Sequence, residues 1–190
     1  MSYSKNSAGK SKDKKKRRVI ILTGFRATGK TVVGRELAEL LGFDFLDTDE
    51  ELSRRFGTRI ADFVASQGWA GFRREEEHLL SGLCDRKSLV LATGGGCILH
   101  REVWRRLRDN GIVVWLQATR ETILHRLQAD DRTGAQRPSL TGAALQEEVD
   151  ALLAERIPLY RAGSDFQVRV EGHSPRALGR IIQKLLQESD

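Results

Sequence analysis

The chain has 190 residues and a formal net charge of +6, which allows one well-buried domain with room for a small insertion. The basic charge is concentrated in residues 1–18, which carry eight Lys or Arg side chains against one Asp, so the remaining residues sum to −1. Composition argues against a membrane protein, because no segment approaches the ~20 apolar residues of a spanning helix. It also argues against a disulfide-stabilised secreted protein, because Cys84 and Cys97 form no C-x-x-C pair, and a reducing cytoplasm is predicted.

The N-terminal segment "MSYSKNSAGKSKDKKKRR" lacks the apolar residues that a packed core or a secretory signal requires. This composition is typical of a solvated arm, and we predict that residues 1–17 are disordered. The rest of the chain is close to neutral, so no specific nucleic-acid partner is predicted. Attraction of the arm to polyanions would be non-specific.

Apolar runs that alternate with helical patterns follow the arm. Strands are predicted at five of these runs, residues 19–23, 43–46, 88–92, 112–116 and 166–170. The last helix opens with Ser174 as N-cap and Pro175 at the first helical position. Such alternation is typical of a parallel sheet covered by helices on both faces. We therefore predict a three-layer α/β/α fold with five parallel strands, in a single domain that spans residues 18–190.

The segment "GFRATGKT", residues 24–31, lies between the first strand and an amphipathic helix and matches the pattern G-x-x-x-x-G-K-[ST]. Backbone N–H groups of such a P-loop turn toward phosphate oxygens, and the following helix adds the positive end of its dipole. Lys30 is predicted to reach the β- and γ-phosphates, and the Thr31 hydroxyl to ligate Mg²⁺. The predicted nucleotide site comprises Gly24, Ala27, Thr28, Gly29, Lys30, Thr31 and Val32.

Two carboxylates follow the second strand in the sequence "DTD". If the strand continues through them, Asp47 and Asp49 point to the same side. One would hold Mg²⁺, directly or through water, and the other would orient an acceptor hydroxyl and take its proton. A capping role for Asp49 at the helix "EELSRRF" is compatible with acceptor binding, and both interpretations stay open.

Three further features lie near the ends of predicted elements. The helix that contains "GFRREEE" is rich in both charges, a mixture that by itself is typical of a solvent-exposed face around Arg73. The glycines of "TGGG", residues 93–96, follow a buried strand, and their conformational cost favours close approach of a ligand to the backbone. Arg137 lies in the polar segment 128–142, which is typical of a mobile lid, and its guanidinium could close onto a transferring phosphate.

In this combination and order, "GFRATGKT", "DTDEEL", "GFRREEE", "TGGG", "RPSL" and "ERIPLY" resemble the motifs of shikimate kinases. The resemblance covers the chain from Arg18 to Leu186. It implies a P-loop kinase fold similar to that of nucleoside monophosphate kinases, with an acceptor-binding helical insertion at residues 48–87 and the lid at 128–142. It also implies transfer of the γ-phosphate of ATP to the 3-hydroxyl of shikimate with Mg²⁺, on the pathway to aromatic amino acids.

The resemblance implies an acceptor site as well. Asp49 would grip the ring hydroxyls of shikimate and serve in catalysis with Lys30, while Arg73 and Arg156 would pair with the carboxylate of shikimate. Guanidinium groups suit this task because they bind a carboxylate through paired, charge-assisted hydrogen bonds. The backbone of the glycine run would line the same pocket at Gly94, Gly95 and Gly96.

On the nucleotide side, the resemblance assigns Mg²⁺ support to Asp47 and the adenine side to Arg126. Arg137 would be a catalytic residue that contacts the phosphates from the lid. The chain departs from the family pattern at two positions, with Ala27 where the P-loop commonly has Gly and Ser139 where Leu commonly follows "RP". These departures affect the stiffness of the loop and the kinetics of the lid rather than the reaction.

Two alternatives share part of this pattern. Another small-molecule kinase, such as a gluconate kinase or an adenylate kinase relative, would have the same loop and fold. The combination of Asp49 with Arg73 and Arg156 suits a polyhydroxylated ring acid better than a nucleotide. A nucleotide-dependent protein that binds nucleic acid through its basic arm is disfavoured by the near-neutral body. The enzyme is predicted to act as a monomer on shikimate, with no membrane partner.

Overall fold

The computed structural model describes residues 3–5, 19–129 and 144–188 of the chain. Their strands form one sheet and are β1 (Tyr3–Lys5), β2 (Val19–Thr23), β3 (Asp44–Asp47), β4 (Leu89–Ala92), β5 (Gly111–Gln117) and β6 (Phe166–Arg169). The order across the sheet is β1-β6-β5-β2-β4-β3. Strands β2 to β6 run parallel, which confirms the predicted five-stranded parallel sheet.

Strand β1 was not predicted. Tyr3–Lys5 pairs antiparallel with β6, in a register that places Tyr3 opposite Val168 and Lys5 opposite Phe166. The pairing needs no apolar pattern, because an edge strand offers backbone N–H and C=O groups to any neighbouring segment. The prediction of disorder is therefore wrong for these three residues. Residues 1–2 and 6–18 lie outside the described part of the chain, and for them disorder stays a prediction.

Seven α-helices occur in the described ranges, and they are α1 (Lys30–Leu41), α2 (Thr48–Phe56), α3 (Ile60–Leu83), α4 (Arg101–Asn110), α5 (Arg120–Ala129), α6 (Leu145–Gly163) and α7 (Pro175–Gln187). Helix α3 is kinked at Gly68, whose φ of 70° and ψ of 168° are not helical. A 3-10 turn, Cys97–Leu99, precedes α4. The predicted start of α7 is confirmed, because Oγ of Ser174 accepts a hydrogen bond from the N–H of Ala177.

Apolar clusters cover both faces of the sheet. Successive strand residues point to opposite faces, so Val19 and Ile21 of β2 belong to one cluster and Ile20 and Leu22 to the other. The first cluster is completed mainly by α3, α4 and α6, and the second by α1 and α7. Burial on both faces explains why the strands read as unbroken apolar runs, and it confirms the three-layer α/β/α fold.

The topology brings the chemical motifs to one edge of the sheet. The P-loop follows the central strand β2, the glycine run follows its neighbour β4, and "DTD" lies at the end of β3 beyond it. Parallel strands carry their ligands at their carboxyl ends, so the three segments are adjacent in space. None of the helices in the described ranges combines the length and the apolar character needed to cross a lipid bilayer.

Candidate active site

A cavity of about 760 Å³ lies at the carboxyl ends of β2, β3 and β4. Its lining brings together Lys30 and Thr31 of the P-loop, Asp47 and Asp49 of "DTD", and Gly95 of the glycine run. Phosphate-binding, acidic and glycine-rich segments that are separate in the sequence therefore face one space. This is the site in which a nucleotide and an acceptor can meet.

Backbone conformation explains the glycines of the P-loop. Gly24 has a φ of 142°, and a Cβ atom there would lie 2.5 Å from the carbonyl oxygen of Leu116. Gly29 has a φ of 89° and is the N-cap of α1. Ala27 also adopts a left-handed conformation, with a φ of 63°, which an alanine adopts only at a cost in conformational energy. Its backbone conformation is therefore one that a glycine would adopt freely.

Lys30 is held against the backbone of its own loop. Its Nζ donates hydrogen bonds to the carbonyl oxygens of Gly24 at 3.0 Å and Phe25 at 2.7 Å. Oγ1 of Thr28 also donates to the Phe25 carbonyl, at 2.9 Å, which ties the middle of the loop together. An ammonium group beside the N-terminus of α1 concentrates positive potential where phosphate oxygens would bind.

Asp47 connects the P-loop to α2. Its Oδ2 accepts a hydrogen bond from Oγ1 of Thr31 at 2.6 Å. Its Oδ1 accepts from the N–H groups of Asp49 at 2.8 Å and Glu50 at 3.3 Å, so Asp47 is the N-cap of α2. The condition that β3 continues through Asp49 is not met, and of the two interpretations left open for Asp49 the capping role is wrong, because Asp47 caps the helix. Because the strand ends at Asp47, Asp49 reaches the cavity from the first turn of α2 instead.

The Thr31 hydroxyl and the Asp47 carboxylate are suited to Mg²⁺. Magnesium is bound in proteins through one or two carboxylates, and water and phosphate oxygens complete its octahedral shell. A hydroxyl and a carboxylate beside a phosphate-binding loop fit that chemistry. Within the described ranges, no three His, Cys, Asp or Glu side chains come together in a group that could hold a metal without such help.

The glycine run is held by two side chains that the sequence analysis did not assign. The buried Thr48 accepts a hydrogen bond at Oγ1 from the N–H of Gly94 at 2.8 Å. The hydroxyl of Tyr160, which is also buried, donates to the carbonyl oxygen of Gly95 at 2.5 Å. Both residues lie inside motifs that were recognised, the middle of "DTD" and the end of "ERIPLY". Their position within these motifs is the only feature of the sequence that could have indicated a role for them.

Arg73 packs against the end of the same glycine run. A Cβ atom at Gly96 would lie 2.7 Å from Cζ of Arg73, so only glycine leaves room for the guanidinium. The guanidinium also lies over the rings of Trp69 and Phe72, with Cζ 5.7 and 5.5 Å from their centroids. Its Nη1 forms an ion pair with Oε2 of Glu76, whose side chain is fully buried. The expectation of a solvent-exposed charged face is therefore wrong for Arg73 and Glu76.

Glu76 is the centre of a buried polar cluster. Nε2 of His100 lies 2.9 Å from its Oε2, and Sγ of Cys97 donates to its Oε1 at 3.2 Å. Burial by itself would raise the pKa of Glu76, but the hydrogen bond from His100 and the charge of Arg73 lower it to about 2. Glu76 is therefore ionised at neutral pH. Burial and the neighbouring carboxylates of Glu76 and Asp49 raise the pKa of the Cys97 thiol well above its usual value.

Of this cluster, the sequence provided a reason to connect Glu76 with Arg73 but none to connect His100 with either. Glu76 follows Arg73 by three residues, a spacing that places both side chains on one helical face. His100 offered no signal, because nothing in the sequence connects it to a helix that ends seventeen positions earlier at Leu83.

Arg156 belongs to α6. It precedes Tyr160 by one helical turn and therefore lies on the same face as the residue that binds Gly95. Its side chain is buried, and Nε has no hydrogen-bond partner among the described residues; Oε2 of Glu155 lies 4.0 Å from it. A buried guanidinium N–H requires an acceptor. Arg156 is thus suited to receive an anionic group.

A second cavity of about 430 Å³ lies on the other side of the P-loop, lined by residues that include Ala27, Val32, Arg126, His173 and Pro175. Nη1 of Arg126 donates to the carbonyl oxygen of Ala27 at 3.0 Å, which places this arginine beside the predicted nucleotide site.

Only the start of the predicted lid lies in the described part of the chain. Residues 128–129 belong to α5, whereas residues 130–142, including Arg137 and Ser139, lie outside the described residues.

Known proteins resemble this chain over nearly its whole length. Residues 26–188 match the family model described as shikimate kinase. A shikimate kinase of Nitratidesulfovibrio vulgaris is 44% identical over 158 residues, which cover 83% of this chain and 89% of that protein. One of Oleidesulfovibrio alaskensis is 46% identical over 166 residues, covering 87% and 96%. The solved structure of a shikimate kinase from Acinetobacter baumannii in complex with shikimate superposes with a TM-score of 0.85 at 37% identity, covering 93% of this chain and 97% of that one.

Proposed function

The chain belongs to the shikimate kinase family, and we propose that the two cavities that border the P-loop bind MgATP and shikimate for transfer of the γ-phosphate to the 3-hydroxyl of shikimate. The observation that carries the proposal is the shared cavity in which Lys30 and Thr31 of the P-loop face Asp49. Next to that cavity, Arg73 is fixed by the buried Glu76 against the glycine run. The residues that would bind the phosphate donor therefore lie next to those that would bind the hydroxy-acid acceptor.

For the nucleotide, we assign the phosphates to the P-loop and the N-terminus of α1. Lys30 would stabilise the charge of the β- and γ-phosphates, and the lid residue Arg137 would add a second cation to them. The cavity beside Arg126 would receive the adenine end, because it borders the P-loop and has an apolar wall that includes Pro175. Mg²⁺ would be held by Thr31 and Asp47, and when bound it neutralises phosphate charge.

For the acceptor, Arg73 and Arg156 would bind the carboxylate of shikimate. The two arginines belong to different helices, α3 and α6, and Arg73 packs against Gly96. The guanidinium of Arg73 and that of Arg156, whose Nε makes no hydrogen bond to the described residues, would supply the paired donors that a carboxylate accepts. Asp49 would bind the ring hydroxyls on the side that faces the P-loop.

In the reaction itself, the 3-hydroxyl of shikimate attacks the γ-phosphorus and the bond to the β-γ bridging oxygen breaks. Asp49 would orient the hydroxyl and accept its proton as the bond to phosphorus forms. The transition state gathers negative charge on the transferring phosphoryl oxygens, so fixed cations and backbone N–H groups accelerate the reaction. Lys30 and the N-terminus of α1 would provide that stabilisation.

Further parts of the proposal concern organisation. Residues 18–190 would be one kinase domain, with 48–87 as the acceptor-binding segment and 128–142 as the lid. The enzyme would act as a monomer, and the charge of −1 outside residues 1–18 favours no specific nucleic-acid partner. A cytoplasmic location agrees with the two free, buried cysteines, Cys84 and Cys97.

A coupled assay of ADP formation with shikimate, gluconate and AMP as acceptors tests the substrate. We expect turnover with shikimate alone. If gluconate or AMP were the preferred acceptor, the proposal that shikimate is the substrate would be wrong.

Site-directed variants test the two halves of the site separately. Lys30→Ala should abolish phosphoryl transfer. Asp49→Asn should lower kcat severely while a non-hydrolysable ATP analogue still binds with near-normal affinity in calorimetry. Loss of ATP binding in Asp49→Asn with retained shikimate binding would contradict the assignment of the carboxylates.

The carboxylate-binding role has a matched control on the same helix. Arg73→Lys should raise KM for shikimate by roughly 10- to 150-fold, because a point charge replaces a two-pronged donor and a charge-assisted hydrogen bond of ~1.5–3 kcal/mol is lost. Arg74→Lys, at the exposed neighbouring position, should leave KM close to the wild-type value. Equal KM values in the two variants would remove Arg73 from the acceptor site.

A further inference from the structure

We propose that His100 is a positioning residue for acceptor binding, which holds the Glu76 carboxylate in the orientation that fixes Arg73. The inference rests on the proposed function, in which Arg73 binds the carboxylate of shikimate. It adds a third link to that arrangement: His100 orients Glu76, Glu76 orients Arg73, and Arg73 receives the substrate. His100 would not touch the substrate itself.

The hydrogen bonds define the direction of this chain of contacts. Oε2 of Glu76 accepts a hydrogen bond from Nη1 of Arg73, and Nε2 of His100 lies 2.9 Å from the same oxygen. An ionised carboxylate can only accept hydrogen bonds, so Nε2 of His100 must carry the proton and act as the donor. The low pKa of Glu76, about 2, agrees with this assignment.

Glu76 depends on its partners for its orientation. The terminal torsion of a glutamate side chain has a broad energy profile, so hydrogen bonds rather than rotamer preference determine where the two oxygens point. Of the groups that contact the carboxylate, the Cys97 thiol is a weak donor at 3.2 Å. Arg73 is the group to be positioned. The imidazole of His100, which is about nine-tenths buried, is the remaining strong donor to this carboxylate among the described residues.

One short segment, residues 96–100, both leaves room for Arg73 and binds Glu76. Gly96 leaves the space for the guanidinium, Cys97 and His100 bind Glu76, and the carbonyl of His100 accepts the N–H of Trp104 at 2.8 Å to start α4. Residues 96–100 therefore connect the glycine run to Glu76 as one hydrogen-bonded unit. Precise support of this kind reduces the freedom that Arg73 would otherwise lose on binding substrate.

A matched pair of variants tests the proposal. The amide nitrogen of a glutamine can reach the place of the imidazole Nε2, whereas the shorter asparagine cannot. We expect His100→Asn to raise KM for shikimate about tenfold, the effect of losing about 1.4 kcal/mol of a charge-assisted hydrogen bond. His100→Gln should restore KM to within about threefold of wild type on the same scale. In both variants, KM for ATP should stay close to the wild-type value.

His78→Gln, an exposed histidine on α3, is the control for substitution of a histidine as such and should not change KM for shikimate. Equal KM values for His100→Asn and His100→Gln would overturn the proposal. A parallel rise of KM for ATP would also overturn it, because it would indicate general distortion of the site. If neither His100 variant folds, His100 serves stability rather than positioning, and the proposal is again wrong.

A double-mutant cycle tests whether His100 acts through Glu76. In a Glu76→Gln background, His100→Asn should have no further effect on KM for shikimate, because the link is already broken. Additive effects would indicate an independent role for His100.

The proposed function and this inference fail in different ways. If Arg73→Lys leaves KM unchanged, the acceptor assignment itself is wrong. If Arg73→Lys raises KM but His100→Asn does not, only the role of His100 is wrong.

Discussion

The Thr31 hydroxyl donates a hydrogen bond to Oδ2 of Asp47 at 2.6 Å and so joins the loops that follow β2 and β3 across the intervening strand β4. The other oxygen of Asp47 is occupied by the N–H groups at the start of α2. One carboxylate therefore fixes the helix that carries Asp49 and presents its remaining oxygen to the P-loop. This carboxylate therefore connects the proposed phosphate-binding residues to the helix of the proposed acceptor-binding residue.

Asp47→Asn should separate the charge of this residue from its capping role. Asparagine caps a helix about as well as aspartate, so α2 should form normally. Without the negative charge of Asp47, Mg²⁺ should bind more weakly. We expect the Mg²⁺ concentration for half-maximal activity to rise about tenfold, which corresponds to the loss of about 1.4 kcal/mol of a charge-assisted interaction. Activity measured against Mg²⁺ concentration at fixed ATP gives the value.

Asp44→Asn, at the exposed opposite end of β3, is the control and should not change the Mg²⁺ requirement. If Asp47→Asn behaved like Asp44→Asn, Asp47 would have no part in metal binding.

Gly24→Ala should damage the P-loop more than an equivalent change elsewhere. The new Cβ would lie 2.5 Å from the carbonyl oxygen of Leu116, and a φ of 142° is disfavoured for alanine. We expect the free energy of unfolding to fall by more than about 2 kcal/mol, as for overpacking combined with backbone strain, and ATP binding to be lost. Urea denaturation and calorimetry measure the two effects.

Gly42→Ala isolates the backbone contribution. Gly42 also has a left-handed φ, of 66°, but a Cβ there would meet nothing within 4 Å. Its cost should be about 1 kcal/mol, with ATP binding unchanged. Equal destabilisation in the two variants would mean that the contact with Leu116 can be relieved by a small shift.

The sheet and its helices could be predicted because burial on both faces leaves a direct record in the sequence. Val19–Thr23 is apolar or β-branched throughout, and the structure buries all five residues. Helix α7 was equally accessible, since Ser174 and Pro175 mark its start and its buried residues recur at helical spacing. These features depend on local sequence alone.

Other features depend on contacts between distant segments, which sequence patterns do not record. Glu76 resembles its exposed neighbours in a run of three glutamates, and only the fold brings His100 and Cys97 to it. The sequence predicted that Asp47 and Asp49 lie next to the P-loop, and the cavity lining confirms it. The residue at which β3 ends and α2 begins could not be located from the pattern. Strand β1 arose from backbone pairing at the edge of the sheet, for which side chains give little signal.

Deletion of residues 1–17 should leave kcat and both KM values nearly unchanged. The deletion removes β1, but that strand lies at the edge of the sheet beside β6, whereas the motifs of the site lie at β2, β3 and β4. Steady-state kinetics of the shortened and full-length chains test this expectation. A large loss of activity, with the shortened chain still folded by circular dichroism, would assign the arm to the enzyme's function.

Glu76 should make the stability of the protein depend on pH in the acid range. Its pKa is lowered from 4.5 to about 2 because the hydrogen bond from His100 and the charge of Arg73 outweigh the effect of burial. A carboxylate with a lowered pKa in the folded state stabilises the protein fully above its unfolded pKa, and this contribution is lost as the pH falls toward the folded pKa. The loss should therefore occur between about pH 4.5 and pH 2.

Glu76→Gln should remove this dependence. At neutral pH the variant should be less stable than wild type by roughly 3 kcal/mol, because a buried ion pair has lost one partner. The difference between the two proteins should shrink as the pH falls, since wild-type Glu76 itself becomes protonated. Urea denaturation at a series of pH values gives both curves, with Glu75→Gln at the exposed neighbouring position as a control that should follow wild type. A constant difference between wild type and Glu76→Gln across this range would show that Glu76 does not hold its charge in the folded protein.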